Sequence, residues 1–527
     1  MKPVSPPRDF DLPAKFISWR PGQFNAVKNA AMVEQRHSLM VAPTGAGKSV
    51  TAAALAKLLG KRTLILTSTK GLQRQYVSDF GFANVEGKTS YRCLVDSQWT
   101  CEDGPCSFGY DCEYRNDGCP YYAALKEARR SHVVITNYAM WMALRDREED
   151  TIGKFELLIL DEAHDVPDWV CSNLAVEITR KEVIESGGKV AEMGQPVGSV
   201  QKWIEWAGGA LQDVEKSIAV VQKEIKEARN REAVRELKRL QSLERKIKKI
   251  LRAKADWVTE TSDGVSRLDP VWPREYTETV IFRGTPRIYM TSATATEKTV
   301  SMLGVKPGEL WRMEQQSTFP VASRLITYVP TYPSARVDHR MTPEAEKSWL
   351  KLIAQIVNSR LDRKGILHSV SYKRRDVIAA FLQKEIPSLK IFTHGSHNTA
   401  LQVVKFKAAK PPALLVSPSV STGFDFPLDQ ARYQVICKIP FPDARSNVMK
   451  ARCKEDKDYA FYLTAQELIQ MSGRATRAMD DWSENLIVDA HFEWFWNKAK
   501  PFVPKWFAEA VRFARTIPQA PKIKEGN

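Results

Sequence analysis

The stretch Ala42-Pro43-Thr44-Gly45-Ala46-Gly47-Lys48-Ser49 constrains this chain more than any other. It follows the apolar run Ser38–Val41, which reads as a buried strand, and precedes the Ala/Leu-rich run Val50–Leu59, which reads as a helix. Strand, glycine-bearing loop and helix in that order make a phosphate-binding loop. Gly45 and Gly47 permit the tight turn that points successive N–H groups at an anion. The helix N-terminus adds its dipole at the same point. On this reading Thr44, Gly45, Ala46 and Gly47 cradle a nucleotide, Lys48 reaches its β- and γ-phosphates, and Ser49 is a Mg2+ ligand. The usual pattern begins with Gly, whereas Ala42 stands there in this chain. An ordinary glycine turn is the competing reading.

Residues far downstream supply what such a loop lacks. The apolar run Phe155–Leu160 ends in Asp161-Glu162-Ala163-His164. In a parallel sheet that strand end lies beside the loop. Asp161 can hold Mg2+ through water, and Glu162 can orient or deprotonate an attacking water. An isolated Asp-Glu at a strand end is more often a surface pair; behind a phosphate loop it is specific. Gln470-Met471-Ser472-Gly473-Arg474-Ala475-Thr476-Arg477 puts Arg474 and Arg477 on one helix face, where planar guanidinium groups suit a γ-phosphate. Phosphoryl transfer needs such positive charge at the transition state. The arginines belong to a different α/β region from the loop, so ATP is expected between two domains, in a cleft that opens and closes on hydrolysis. Gln23, which opens a helical stretch after Arg20-Pro21-Gly22, can reach an adenine edge or simply be a solvated residue at a helix start.

The rest of the chain divides around these motifs. Strands are expected at Arg62–Thr67, Ser131–Tyr138 and Arg287–Met290. A second α/β region spans roughly 325–500, with strands at Gly365–Ser369, Lys390–Thr393, Ala413–Ser417, Tyr433–Lys438 and Asn485–Asp489. Between about 168 and 262 the strand signal disappears. Leu211, Val214, Ile218, Val221 and Ile225, then Leu237, Leu240, Leu243, Ile247 and Ile250, recur at helical spacing on either side of Asn230, which predicts a helical hairpin. Its Arg245–Lys249 face reads first as a solvated surface and second as a nucleic-acid contact.

Lys and Arg number 78 against 62 Asp and Glu, a net charge of +16, which suits a polyanionic partner such as nucleic acid. No apolar run reaches membrane-spanning length. Met1–Phe10 is polar and Pro-rich, without the apolar core of a signal peptide. A cytoplasmic location is therefore the expectation, and the compact length suits a bacterial or phage-infected cell. In such a reducing place cysteines are not expected to pair, yet five of the eight crowd between Cys93 and Cys119. Their spacing is Cys93-x7-Cys101-x4-Cys106-x5-Cys112-x6-Cys119, with no C-x-x-C knuckle and no His, which argues against a zinc ribbon. Thiolates on irregular loops suit an iron–sulfur cluster; a zinc site and inert reduced thiols are the alternatives. Tyr91, Trp99, Phe108, Tyr110, Tyr114, Tyr121 and Tyr122 crowd the same segment, and packing around a cluster is the first reading for most of them. Cys171, Cys437 and Cys453 are read as structural.

The order of motifs resembles the XPD/DinG branch of superfamily-two helicases, which carry an iron–sulfur domain. The resemblance rests on Arg20–Gln23, Ala42–Ser49, Thr67–Gln75, Asp161–His164, Thr291–Thr296, Ser417–Asp425 and Gln470–Arg477. It implies an α/β fold of two RecA-like P-loop domains with parallel sheets, the first carrying an iron–sulfur insert and a helical arch. Residues 1–84, 126–167 and 263–322 would form the first domain, 85–125 the cluster insert, 168–262 the arch, and 323–527 the second domain with its tail. It implies ATP, Mg2+ and a four-iron four-sulfur cluster as cofactors. The implied activity is ATP-driven 5′→3′ translocation and unwinding, on single-stranded and forked duplex DNA, by a monomer without a membrane partner. A translocase that strips proteins or R-loops, and a nucleic-acid-binding ATP switch that does not turn over, are the other readings. Gln23 would read adenine, Thr291–Thr294 would relay nucleotide state, and Gly423 and Asp425 would touch both nucleotide and DNA. Lys48, Asp161, Glu162, Gln470, Arg474 and Arg477 would carry the ATPase chemistry. Gly87–Cys93 resembles the first-ligand segment and Cys119-Pro120-Tyr121-Tyr122 the last. By spacing Cys106 and Cys112 complete the set, with Cys101 as the alternative ligand. Because the chain begins close to Gln23, no exonuclease domain of the kind some DinG relatives carry is expected before it.

Overall fold

The computed structural model describes residues 5–108, 111–145, 151–186, 200–227, 231–420, 424–476 and 481–522. Two seven-stranded sheets organise them. The first runs, edge to edge, Leu310–Glu314, His37–Val41, Arg287–Ser292, Leu157–Asp161, Thr63–Thr67, Val133–Asn137 and Ala83–Asn84. Every pairing in it is parallel. The five strands from His37 to Asn137 are buried along their lengths except at Arg287, as their near-continuous apolar runs require. Parallel pairing brings all their carboxyl ends to one edge. There Val41 pairs with Ser292 and Asp161 with Thr291, so the loop after Val41 and the carboxylate of Asp161 flank a single intervening strand.

The second sheet runs Lys390–Phe392, Ala413–Ser417, Lys364–His368, Tyr433–Ile436, Glu484–Ile487, Ile326–Tyr328 and Val511–Phe513, again all parallel. Its last edge strand comes from the aromatic tail, where no strand was expected. One face is covered by the helices Pro343–Asn358 and Tyr372–Glu385, through Trp349, Ile353, Ile356, Ile378 and Leu382. The other carries Tyr459–Ser472 and His491–Ala499, through Leu468, Ile469, Phe492 and Phe495.

The segment between the Asp161 strand and the Arg287 strand holds the long helices Val200–Glu227 and Arg231–Ile250. Leu240, Leu243, Ile247 and Ile250 are buried in the same apolar cluster as Trp203, Ala207, Ala210 and Val214, and Ile225, Ala233 and Leu237 form a second cluster toward the tip. Asn230 lies outside the described residues. The basic face is occupied within the protein: Lys246 pairs with Glu182 at 2.7 Å, and Lys248 with Glu244 and, at 3.4 Å, Glu215.

The absence of strands between 168 and 262 does not hold. Val176–Thr179, Val265–Asp269 and Val258–Ser262 make a three-stranded antiparallel sheet. Its strands are short and half-exposed, so they carry little apolar signal. The turn that joins two of them is Asp263-Gly264, with φ of 51° and 77°. Asp-Gly with positive φ at both residues is a two-residue hairpin turn, and that dipeptide was the available sign. The boundary drawn at 125 falls inside the helix Pro120–Arg130.

Candidate nucleotide site and cysteine insert

The loop after Val41 closes on itself through Ala46 N–H to the Pro43 carbonyl, and is tied to the next strand by Ala42 N–H to the Ser292 carbonyl. Gly45 and Gly47 have φ of 78° and 82°. Gly47 caps the helix Lys48–Leu59. Alanines fill that helix because it is sandwiched against the sheet: residues 51–56 are all buried.

Lys48 Nζ lies 3.1 Å from Glu162 Oε1. Glu162 has φ of 51°, a left-handed conformation that costs a non-glycine residue about 1 kcal/mol or more. Its Oε2 makes no hydrogen bond among the described residues and stands 3.4 Å from His164 Nδ1. Asp161 is buried, with Oδ1 accepting from Glu162 N–H at 2.9 Å and Oδ2 from the Tyr76 hydroxyl at 2.8 Å. The Tyr138 hydroxyl donates to the Asp161 carbonyl. Burial and the neighbouring Glu162 carboxylate push the Asp161 carboxyl up, against Lys48 and the Tyr76 hydrogen bond. Burial would raise Glu162 too, but Lys48, His164 and Arg474 outweigh it and hold that carboxyl below its ordinary range. The pair is therefore split: one carboxylate stays firmly ionised while its neighbour stands ready for a cation. A buried, incompletely neutralised Asp161 near Ser49 and the phosphate loop suits Mg2+ in chemistry.

The second sheet contributes from the opposite wall. Arg474 and Gln470 are buried, and Arg474 donates to the Gln470 side-chain oxygen at 3.0 Å and its carbonyl at 3.1 Å. Arg474 also reaches the Phe424 carbonyl and, at 3.5 Å, Asp425. Gln470 Nε2 approaches His164 Nε2 at 3.4 Å across the domains. His164 shares a 2.9 Å hydrogen bond with Ser292 Oγ, which also accepts the N–H groups of Thr294 and Ala295. Gln466 adds a contact to the Thr294 carbonyl. One cavity of about 960 Å3 is lined by Thr44, Gly47, Lys48, Asp161 and Glu162 from one side and by Gln470 and Arg474 from the other. Arg477 and Gly423 lie outside the described residues.

Gln23 stands directly behind the phosphate loop. Its amide donates to the Gly47 carbonyl at 3.0 Å and accepts from Arg20 N–H at 3.0 Å, so both its ends are engaged behind the loop. Phe16 and Arg20 line the cavity instead. Tyr76 and Tyr138 carried no motif in the sequence; their phenols are brought to Asp161 only by packing.

Residues 85–119 contain short turns in place of regular structure. Cys93, Cys101 and Cys119 are buried; Cys106 and Cys112 are half-exposed; all eight cysteines are free thiols. Cys101 Sγ stands 3.9 Å from Cys119 Sγ. Among the described residues no set of three or more His, Cys, Asp or Glu side chains closes into a metal site. The donor chemistry nonetheless suits a thiolate-held group: sulfur donors only, two of them in contact, and a glycine at 104 where a β-carbon would lie 2.9 Å from Cys93 Sγ. Tyr91, Tyr121 and Tyr122 stack edge-to-face beside it, with centroids 5.7 and 5.3 Å apart. The side chain of Phe108 and all of Tyr110 lie outside the described residues. Cys171 and Cys437 are buried in the two domains, and Cys453 is half-buried.

A sequence profile of the helicase C-terminal domain matches residues 353–510. A profile of the type III restriction enzyme res subunit matches residues 16–185. A solved XPD helicase superposes with a TM-score of 0.64 at 15% identity, over 94% of this chain and 100% of that one. The chain carries a helicase C-terminal domain and has the fold of the XPD helicases. Xpd4 of S. tokodaii superposes on this helicase with a TM-score of 0.58 at 15% identity, over 94% of this chain and 100% of that one. An apo XPD gives 0.59 at 13% identity with the same coverages, 94% and 100%. At these identities the structural likeness speaks for the fold. Comparison with curated proteins finds no match. As an ATP-dependent helicase the protein is an ATP hydrolase, and no helix among the described residues is long and apolar enough to cross a membrane.

Proposed function

We propose that this helicase moves along single-stranded DNA in the 5′→3′ direction and separates forked duplex, driven by ATP hydrolysis in the cleft between its two sheets. The observation that carries the reading is that one cavity takes Lys48 and Glu162 from the first sheet and Arg474 from the second. A γ-phosphate there would draw both walls together, and its loss would release them.

The backbone of Thr44, Gly45, Ala46 and Gly47 receives the phosphates, and Lys48, now on Glu162, turns to the β- and γ-oxygens. Ser49 and Asp161 would hold Mg2+, which supplies charge neutralisation at the phosphates. Glu162, kept ionised, accepts a hydrogen bond from the attacking water through its unused Oε2 and orients it. Arg474, steadied by Gln470 and Asp425, faces the charge that builds on the transferred group. Arg477 and Gly423 are assigned to the same wall by their motifs. The Glu162–His164–Ser292 contacts, with Gln466 and Gln470 opposite, carry the state of the phosphate to the interdomain surface. Gln23 acts on ATP by shaping the loop.

The cysteine segment is read as a four-iron four-sulfur domain. Its sulfur-only donors and irregular backbone support this, and its cluster would fix these turns beside the first domain. The net charge of +16 supports a polyanionic partner. The test of the ATPase reading is DNA-stimulated hydrolysis by wild type, Lys48→Ala and Glu162→Gln. Loss of turnover in both variants is expected; full activity in either would sink the assignment.

A further inference from the structure

Five cysteines stand in a segment that needs four, and the family resemblance favours Cys93, Cys106, Cys112 and Cys119. The structure points elsewhere. Tyr91–Cys101 folds as a small hairpin: Arg92 bridges Thr100, Cys93 N–H donates to the Trp99 carbonyl at 2.9 Å, and Cys101 N–H donates to the Tyr91 carbonyl at 2.8 Å. This pairing sets Cys93 and Cys101 on adjacent arms. Cys119 stands at the start of the helix Pro120–Arg130, and its sulfur meets that of Cys101 at 3.9 Å. That separation is far beyond the ~2.05 Å of a disulfide, so the two sulfurs face each other unbonded.

The turn bearing Cys106 is fastened to the same group. Ser107 Oγ donates to the Cys101 carbonyl at 2.9 Å, and Gly104 lies against Cys93 Sγ. Buried Lys88 donates to Ser107 Oγ at 2.8 Å and lies 5.6 Å from the centre of the Tyr121 ring. Cys112, half-exposed like Cys106, starts the separate turn Glu113–Arg115 beside Tyr114.

We propose that Cys93, Cys101, Cys106 and Cys119 hold the cluster and that Cys112 is the spare thiol. This rests on the iron–sulfur reading above. The test uses the full chain purified without oxygen, as wild type, Cys101→Ser and Cys112→Ser, with iron and acid-labile sulfide measured per chain. Wild type and Cys112→Ser are expected to keep about four irons, and Cys101→Ser to lose most of its iron. Mass-spectrometric mapping of alkylated thiols in native wild type covers the case in which a variant misfolds: Cys112 should label, and Cys101 only after iron is chelated. Iron lost from Cys112→Ser but kept by Cys101→Ser, or native labelling of Cys101 with Cys112 protected, would overturn the proposal. Wild type without iron or sulfide after reconstitution would instead remove the cluster reading itself, and the ligand set with it.

Discussion

Gly473 leaves no room for a side chain against Thr44: a β-carbon built on it would stand 2.9 Å from Thr44 Oγ1 and 3.2 Å from its methyl carbon. The arginine-bearing helix end of one domain thus rests directly on the phosphate loop of the other. Gly473→Ala should wedge this contact open. Overpacking of this kind costs about 1–3 kcal/mol, here paid only in the closed cleft. The expected result is a fall of about tenfold or more in DNA-stimulated kcat, with the melting temperature nearly unchanged. Equal ATPase rates in the two proteins would mean that hydrolysis does not require this approach.

The Tyr76 hydroxyl donates to Asp161 and favours its ionised form. Tyr76→Phe removes that donor, so the Asp161 carboxyl should rise further. Because it must lose its proton to serve the cation, the acid limb of the ATPase pH profile should move to higher pH. A profile superimposable on wild type would place the Tyr76 hydroxyl outside the working site.

Buried Arg360 makes a two-pronged pair with Glu484, at 2.8 Å for each prong, and holds the Pro518 carbonyl at 3.1 Å. Breaking such a pair from one side costs about 3–5 kcal/mol, because a buried charge is left alone. Arg360→Met should therefore lower the melting temperature sharply, and Arg360→Met with Glu484→Leu should recover much of the loss. Thermal unfolding of the single and double variants distinguishes this from simple loss of packing, in which the double variant is worse.

His368 is fully buried against Gln434 at 3.0 Å, and burial lowers its value from 6.5 to about 4. The unfolded chain binds the proton more readily, so folding favours the neutral ring. Stability from this residue is complete above pH 6.5 and is lost as pH falls toward 4. The loss is up to about 3 kcal/mol. His368→Gln should flatten the decline in unfolding free energy over that range; an unchanged slope would show that other groups govern it.

The parallel sheets, the phosphate loop and the Asp161 strand were legible because buried parallel strands are continuous apolar runs and because glycine, lysine and carboxylate stand at strand ends. The helical hairpin was legible from the spacing of Leu237 to Ile250. The small antiparallel sheet was hidden because Val258–Ser262 buries little, and the tail strand Val511–Phe513 because three residues carry no period. For Gln23 residue type left an adenine contact and a solvated helix start both open, because it cannot reveal that Gly47 and Arg20 meet the two ends of its amide. Sequence spacing likewise could not disclose the Arg92–Thr100 bridge, which brings Cys101 inward.

The most direct measurement is strand displacement from forks bearing a 5′ or a 3′ single-stranded arm, with ATP, using wild type and Glu162→Gln. The account predicts displacement by wild type from the 5′-armed substrate, little from the 3′-armed one, and none by Glu162→Gln. Preference for the 3′ arm would contradict the direction of movement, and displacement by Glu162→Gln at the wild-type rate would contradict the claim that hydrolysis in this cleft drives it.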